Sequence, residues 1–570
     1  MCGIWTFINL IKQSPNFTKL YEDFMAIKSR GPDMSTFQII KNMCIGFHRL
    51  AVMDPTLHAN QPYIIEDNER TIIFICNGEI YNFKTLISEE NLIIPNNSDC
   101  MTIPKLYIKY TKYNPDGPTN IYNFNKLFHN TIKGEFAFIL FELDRLQNIK
   151  QLIVGRDHIG IRPLYYHKYN NESTGLIFSS EIKGMTNFND KIEEFEPGSI
   201  LEINFDNFGR VVSNYTFNFK SVYDIKINAL KNSEDMEDFY IHKIRSATIN
   251  SVKTRLLADR PLAFLLSGGV DSSLVAAISS KLLGQPLNTF CCGMNEGTDL
   301  LFARKVAKHI GSNHKEVLFT PEEGLEAIRD VIYTTETWDT TTIRASVGQY
   351  LVCKHIGTKT DARVVMVGEG PDEVCSSYLF NYYAPSDQCL DECAKEYVKK
   401  IHIYDGRRAD RCISRWGLEG RIPFLDTQFI NAYWYIPAKW RMPTYKGIEK
   451  WWLRKAFEGT NILPEEVLWR KKEAFSDGVS CKEKSWYQII QEYMETQVSD
   501  EEFINNNIWE CPTKEAYYYK KTFVEFFGDK NLNIIPHYWQ AKFLSDGTVV
   551  NFENKYKYTD PSARTLTAYN

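Results

Sequence analysis

The sequence predicts a chain of two parts and mixed class, a β-rich α+β domain followed by an α/β domain built on a parallel sheet. Three observations carry that expectation. The N-terminal part is dominated by short β-branched and aromatic runs, such as Ile72-Ile73-Phe74-Ile75-Cys76, which read as strands. Further on, 262–266, 288–292, 315–319 and 364–367 read as strands and 301–310 and 322–335 as helices. That alternation means a parallel sheet flanked by helices, with ligands at the carboxyl ends of its strands. Between them, the stretch from about 204 to 237 loses periodicity and collects Asn, Asp, Ser and Lys, the signature of a connection. The expected boundaries are therefore 2–204 for the first domain, 205–236 for the linker and 237–570 for the second.

Length and composition narrow the function classes. At 570 residues the chain is too long for one core. It is 44% hydrophobic and 24% charged, with a formal net charge of −5, an ordinary balance without the basic footprint of a nucleic-acid binder. Thirteen Cys, an odd number without paired C-x-x-C spacing, argue against a disulfide framework and a zinc site. The apolar segment Ile4–Ile11 is short and lacks a basic leader, and no stretch approaches the roughly eighteen apolar residues of a membrane span. A cytoplasmic protein with no membrane partner is expected. A homodimer stays open, because sequence gives no oligomeric state.

The chain begins Met1-Cys2-Gly3-Ile4-Trp5. Removal of Met1 would give Cys2 a free α-amine beside its own thiol, a nucleophile that carries its base. Further along come Arg30-Gly31-Pro32-Asp33, Phe47-His48-Arg49-Leu50-Ala51-Val52, Asn77-Gly78-Glu79-Ile80-Tyr81-Asn82 and Ser98-Asp99. Asn77-Gly78 admits two readings. It is a strong hairpin signal after the run 72–76, and an Asn side chain beside a Gly N–H also makes a donor pair for an oxyanion. Strands follow at 135–142, 151–156 and 176–180. With a terminal amine as base, Cys2 needs no imidazole, so His48 and His158 are expected to be structural.

The second domain is organised around Leu266-Ser267-Gly268-Gly269-Val270-Asp271-Ser272-Ser273, a strand-to-helix turn. Its glycines let backbone N–H groups approach a ligand, its hydroxyls add donors, and the helix N-terminus favours a phosphate. A Walker-type loop needs a Lys before the last Ser, and Asp271 with no Lys excludes it. Val364–Val367 delivers Gly368-Glu369-Gly370-Pro371-Asp372-Glu373 to the same end of the sheet. Acidic groups beside a triphosphate call for a divalent cation.

These motifs resemble the glutaminase domain of class II amidotransferases and, with the central loop, the glutamine-hydrolysing asparagine synthetases of the longer, eukaryotic-like type. The resemblance runs nearly end to end, including 471–478 and 560–567. It implies an N-terminal-nucleophile hydrolase fold of αββα layers, then an ATP pyrophosphatase-type domain. It implies Cys2 as nucleophile, with Asn77 and Gly78 holding the oxyanion. Arg49 would take the glutamine carboxylate and Glu79 and Asp99 its ammonium, with Val52 lining that pocket. In the second domain, Leu266, Ser267, Gly268, Gly269, Asp271, Ser272, Ser273, Gly368, Glu369 and Lys472 would surround ATP and pyrophosphate. Thr342 and Arg344 would recognise aspartate, Asp271 and Asp372 would hold Mg2+, and Glu369 would act beside the reacting carboxylate. The segment with Glu419 and Arg421 would belong to the synthetase pocket or form a buried ion pair. The implied substrates are glutamine, aspartate and ATP.

The chain departs from the family at Val367, Pro371 and Ser377. The first two are expected to remove donors near the nucleotide, and Ser377 to be strained if its φ is positive. Two other functions share the architecture: an amidotransferase with another acceptor, and a degenerate glutamine or nucleotide sensor.

Overall fold

The computed structural model describes residues 1–11, 14–167, 174–188, 191–219, 235–295, 297–472, 478, 480, 484–544 and 547–550. Residues 473–477 of the 471–478 segment, the tail 560–567 and most of the C-terminal half of the expected linker lie outside them. The chain divides into two compact units, one of Met1–Ser221 with 258–260 and 417–419, the other of the remainder.

The first unit holds two six-stranded sheets. Its strands are β1 (Gly3–Asn9), β2 (Met34–Ile40), β3 (Met43–Arg49), β4 (Tyr63–Asp67), β5 (Arg70–Ile80), β6 (Gly134–Asp144), β7 (Ile149–Arg156), β8 (Tyr165–His167), β9 (Gly175–Ser179), β10 (Ile192–Glu194), β11 (Ser199–Phe205) and β12 (Val211–Asn218). One sheet runs β10-β8-β9-β1-β3-β2 and the other β12-β11-β7-β6-β5-β4. Strand periodicity sorts the side chains between layers. Ile4 and Ile8 of β1, Ile73 and Ile75 of β5, and Ala137, Ile139, Phe141 and Leu143 of β6 form the core between the sheets.

The intervening residues face out to helices. Trp5 meets Phe24 of α1 (Phe17–Ala26) at 6.3 Å between ring centroids. Phe136 and Phe138 meet Phe128 of α4, which spans Tyr122–Asn130 after α2 (Phe83–Glu89) and α3 (Thr102–Tyr110). This is the expected αββα layering. Strands such as β6, buried on both faces, read as continuous apolar runs for that reason. Strand β12 lies inside 205–236 and pairs antiparallel with β11. Its residues are mostly exposed, so a strand on a sheet edge carries the polar composition of a connection.

The second unit follows α5 (Asp235–Arg255) with β13 (Leu262–Leu265), α6 (Val270–Leu283), β14 (Asn288–Gly293), α7 (Thr298–Ile310), β15 (Asn313–Leu318), α8 (Pro321–Thr335), α9 (Thr340–Lys359), β16 (Val364–Met366), α10 (Pro371–Val374), α11 (Asp387–Lys400) and α12 (Asp405–Ser414), with shorter elements including β17 (Glu419–Arg421) beyond. The sheet order is β15-β14-β13-β16-β17, and β13 is parallel to both β14 and β16. The chain leaves β13 in one direction and returns on its other side, which opens a crevice at the carboxyl ends of β13 and β16. Helix ends follow their local chemistry. Thr320 and Glu323 form a reciprocal cap on α8, and Gly284 and Gly311 close α6 and α7 at φ 63° and 65°.

Candidate active sites

In the first unit the side-chain period decides what meets. Cys2 stands two residues before Ile4 and packs against the core between the sheets. Asn77, two beyond Ile75 in β5, faces the same space and lies opposite Ala137. Asn77-Gly78 is thus no hairpin turn. It lies within a strand paired residue by residue with β6, and a Cβ on Gly78 would come within 2.3 Å of the Glu135 carbonyl. The Asn77 side chain is fully buried, and neither atom of its amide has a hydrogen-bond partner among the described residues. A buried unpaired amide costs roughly 1–3 kcal/mol, and such a cost marks a group kept for a ligand.

Cys2 is half-buried, with Sγ 3.7 Å from the Leu50 carbonyl oxygen. Its carbonyl accepts from Arg30 Nε at 3.0 Å, and Arg30 pairs with Glu181 at 2.7 Å. Burial pushes the thiol up to about 11. While Met1 is attached the Cys2 nitrogen is an amide, so the thiol has no base there. The Met1 amine donates to the Leu418 carbonyl at 2.9 Å, and burial lowers it to about 5.

The glutamine-binding candidates are buried, and several are already engaged. Arg49 is buried, and among the described residues its guanidinium bonds to one loop. It donates to the carbonyls of Met53, Asp54 and Thr56 and to Asn60 Oδ1, tying down the loop after β3. Asp99 Oδ2 accepts from the Ile80 N–H at 2.6 Å and so anchors the end of β5. Glu79 is 5% exposed. Val52 is 2% exposed and donates its N–H to Leu50. His48 is structural: its ring stacks on Phe24 at 3.9 Å, with nitrogens against Ser35 Oγ and the Phe24 carbonyl.

In the second unit a cavity of about 260 Å³ opens at the crevice. Of the expected residues, Leu266, Ser267, Gly269, Asp271, Ser272, Gly368, Glu369, Asp372, Lys472 and Arg344 line it. Gly268, Ser273 and Thr342 do not, each for a physical reason. Gly268 has φ 73°, and a Cβ there would lie 2.4 Å from Phe302 Cβ, so it serves the turn and helix packing. Ser273 is fully buried. Thr342 gives its N–H and hydroxyl to Asp339, the N-cap of α9, at 2.8 and 2.7 Å. The wall position belongs to Thr341, whose buried hydroxyl has no partner among the described residues. The spacing Asp339-x-x-Thr342 is a capping signal that could have separated the two threonines.

The loop is held from within. The Ser267 N–H donates to Ser272 Oγ at 3.2 Å, the two hydroxyls lie 3.0 Å apart, and Gly269 caps α6 without a side chain. The first N–H groups of that helix are therefore available to an anion. Gly368 must be Gly, since a Cβ would lie 2.6 Å from the Ser272 nitrogen.

Two carboxylates and two ammonium groups meet beside the loop. Lys450 Nζ bridges Asp271 and Asp372, the latter at 2.6 Å, and Lys472 Nζ reaches Asp372 at 2.5 Å. Burial works against the Asp372 charge, but the two ammonium groups hold its carboxyl well below the usual range. Lys450, 4% exposed, is a residue that sequence reading missed. It lies 179 positions from Asp271 in the chain, and no local pattern marks it. Arg344 carries an unanticipated burden: its Nε and Nη2 hold Glu515 at 2.8 and 2.6 Å, so its two-point edge meets an internal carboxylate. Arg421 Nη1 binds the carbonyls of Arg255 and Leu257, and neither Glu419 nor Arg421 lines the cavity.

The departures at 367–377 also resolve. Val367 is 1% exposed and off the cavity wall. Pro371 is the first residue of α10, where a missing N–H is tolerated. The positive φ falls on Ser376, at 54°, and not on Ser377, whose hydroxyl donates to Asp372 at 2.5 Å.

Comparison with known proteins fits this geometry. Residues 1–226 match the glutamine amidotransferase domain family, and 243–395 and 385–544 match the asparagine synthase family. The chain is 38% identical to a Gallus gallus protein named asparagine synthetase [glutamine-hydrolyzing], over 595 residues covering 100% of this chain and 99% of the relative. The Homo sapiens protein of the same name is 38% identical over 598 residues with the same coverage. With both domain families matched in order and relatives alike along their whole length, the chain belongs to the glutamine-hydrolysing asparagine synthetases.

Proposed function

We propose that the protein makes asparagine from aspartate, with glutamine as nitrogen donor and ATP converted to AMP and pyrophosphate. The observation that carries this reading is the pairing of two distinct sites with the two family matches. In the first site, processed Cys2 attacks the glutamine carboxamide with its own α-amine as base, Asn77 with the Gly78 N–H receives the developing oxyanion, ammonia leaves with the proton that amine took up, and water hydrolyses the thioester to glutamate. Arg49, Val52, Glu79 and Asp99 form the glutamine pocket. The bonds of Arg49 to its loop leave less of its fork for a carboxylate than a free guanidinium has. The glutaminase function belongs to 2–204 extended by β12, and the synthetase function to 237–570.

In the second site the aspartate β-carboxylate displaces pyrophosphate from ATP, giving an adenylate whose AMP leaves when ammonia attacks. The loop Ser267–Ser273 and the α6 N-terminus take phosphate oxygens. Lys450 and Lys472 counter pyrophosphate charge, and Thr341 and Arg344 line the aspartate end, with Thr342 holding the start of α9 beneath them. Mg2+ fits Asp271 and Asp372: both carboxylates line the cavity, and Asp271 Oδ1 is buried without a partner among the described residues. Among the described residues no set of three or more His, Cys, Asp or Glu gathers around one point, which suits a cation held mainly through substrate phosphates. When bound it neutralises phosphate charge. Among the described residues no helix is long and apolar enough to cross a membrane, and a cytoplasmic location and a homodimer remain part of this reading.

The test is Cys2→Ala. Glutamine-dependent synthesis should vanish while synthesis from ammonium salt survives; loss of both, or of neither, refutes the two-site reading.

A further inference from the structure

Beside Glu369 stands a side chain that neither sequence motif nor charge singles out. Gln349 rises from α9 and is 1% exposed. Its Nε2 donates to Glu369 Oε1 at 2.9 Å, and its Oε1 accepts from Arg408 Nη1 at 3.1 Å. Arg408 Nη1 is itself 3.6 Å from Glu369 Oε1. Arg408 is fixed in turn by Asp405 Oδ1, which accepts from its Nε and Nη2 at 3.0 and 2.8 Å. All four residues line the cavity. The carboxamide thus closes a triangle, using each end for a different partner, and an apolar side chain of the same length could fill the space without doing so.

We propose that Gln349 is a positioning residue of the synthetase reaction, aiming the Glu369 carboxylate into the cavity and keeping it ready to accept a proton from incoming ammonia. This deepens the proposed function and rests on Glu369 acting beside the reacting carboxylate, as the family resemblance implies.

Direction and sign follow from the surroundings. The charged and titratable groups facing Glu369 are Arg408, Asp405 and Cys412 from α12 and Cys353 from α9. Burial raises the Glu369 carboxyl; Arg408, the backbone N–H of Glu369 and the Gln349 amide oppose that rise, and Asp405 adds to it. Arg408 is shared with Asp405 and stands beyond close hydrogen-bonding distance of Glu369, so the short side-chain donor to the carboxylate is Gln349, beside the backbone N–H of Glu369 itself. Removing that donor raises Glu369 further, and less of it is ionised as pH falls.

The experiment is Gln349→Met, which keeps the volume and removes both polar ends, assayed with saturating ATP, aspartate and ammonium salt. The expected result is a fall in kcat of roughly tenfold at neutral pH with little change in the aspartate KM, since a lost hydrogen bond to a charged group acts on the reacting state. The ratio of variant to wild-type kcat should decline further as pH is lowered, a comparison in which the ammonia titration cancels. Circular dichroism and urea unfolding of the full chain serve as the folding control. A ratio flat with pH, or a loss confined to KM, overturns the proposal. If Gln349→Met does not fold, Gln349→Asn, an amide too short to span both partners, carries the same test: a ratio falling with pH supports positioning, and a flat one overturns it. Glu369→Gln separates the underlying reading. If it retains full synthesis, the role of Glu369 fails whatever Gln349 does.

Discussion

Asn77 should show opposite effects on stability and activity. Its amide is fully buried and unpaired, so the folded protein bears a desolvation cost of about 1–3 kcal/mol without the bonds that would offset it. Asn77→Ala removes that cost and, by trimming the side chain, loses packing worth about 0.5–1.5 kcal/mol. The two terms are of similar size and opposite sign. Stability in urea should therefore fall between about 2.5 kcal/mol above and about 0.5 kcal/mol below that of the wild type. Glutamine hydrolysis should behave otherwise, because removing one preorganised oxyanion donor costs about 2.7–4 kcal/mol, roughly 10²–10³ in kcat. The assay pairs urea unfolding with glutamate release and ammonium-dependent synthesis, the last of which should stay near wild type. Destabilisation by 3 kcal/mol would mean that Asn77 has a structural partner. Glutaminase activity within tenfold of wild type would remove it from the oxyanion site.

Lys450→Met strips the ammonium shared by Asp271 and Asp372, and breaking a buried pair of this kind costs about 3–5 kcal/mol. Aspartate-dependent pyrophosphate release should drop below detection with either nitrogen source, while basal glutaminase activity persists. Mass spectrometry of active protein should find Met1 absent, and a preparation retaining Met1 should lack glutaminase activity yet use ammonium, because its Cys2 nitrogen is an amide. His48 is lowered to about 4 by burial, against the opposing Phe24 carbonyl. The unfolded chain then binds the extra proton between about pH 6.5 and 4, so the contribution is present above that window and is lost as pH falls through it, on the order of 3 kcal/mol in all; His48→Gln should flatten that slope in urea titrations. Ser376→Gly should raise stability by up to about 1 kcal/mol by relieving the positive φ, whereas Ser377→Gly should not.

Much of this was legible because it is local. The loop Ser267–Ser273 lies between an apolar strand and a helix, and its neighbours in sequence are its neighbours in space. The β-rich first domain announced itself through strands buried on both faces. Legibility failed where one residue type serves two physical ends. Asn-Gly reads as a turn from local propensity, but at 77–78 it lies in a strand, where Gly78 is needed for the approach of β6. Thr342 and Thr341 are alike in the sequence, and only the capping bond from Asp339 shows which one is spent on the helix. Arg344 has the right fork for a substrate carboxylate, but Glu515, far along the chain, already occupies its two-point edge. Lys450 and Gln349 act through partners brought together by the fold, and no spacing rule reaches them. The segment 205–236 looked like a linker because an exposed edge strand is polar on most of its length.

The most direct test of the central claim is product stoichiometry. Purified protein is given aspartate, ATP, Mg2+ and glutamine, and asparagine, AMP, pyrophosphate and glutamate are quantified together. The account predicts asparagine, AMP and pyrophosphate in equal amounts, with at least as much glutamate and none of the first three when aspartate is omitted. Glutamate release without aspartate-dependent AMP or asparagine, with ammonium salt failing to substitute, would contradict it.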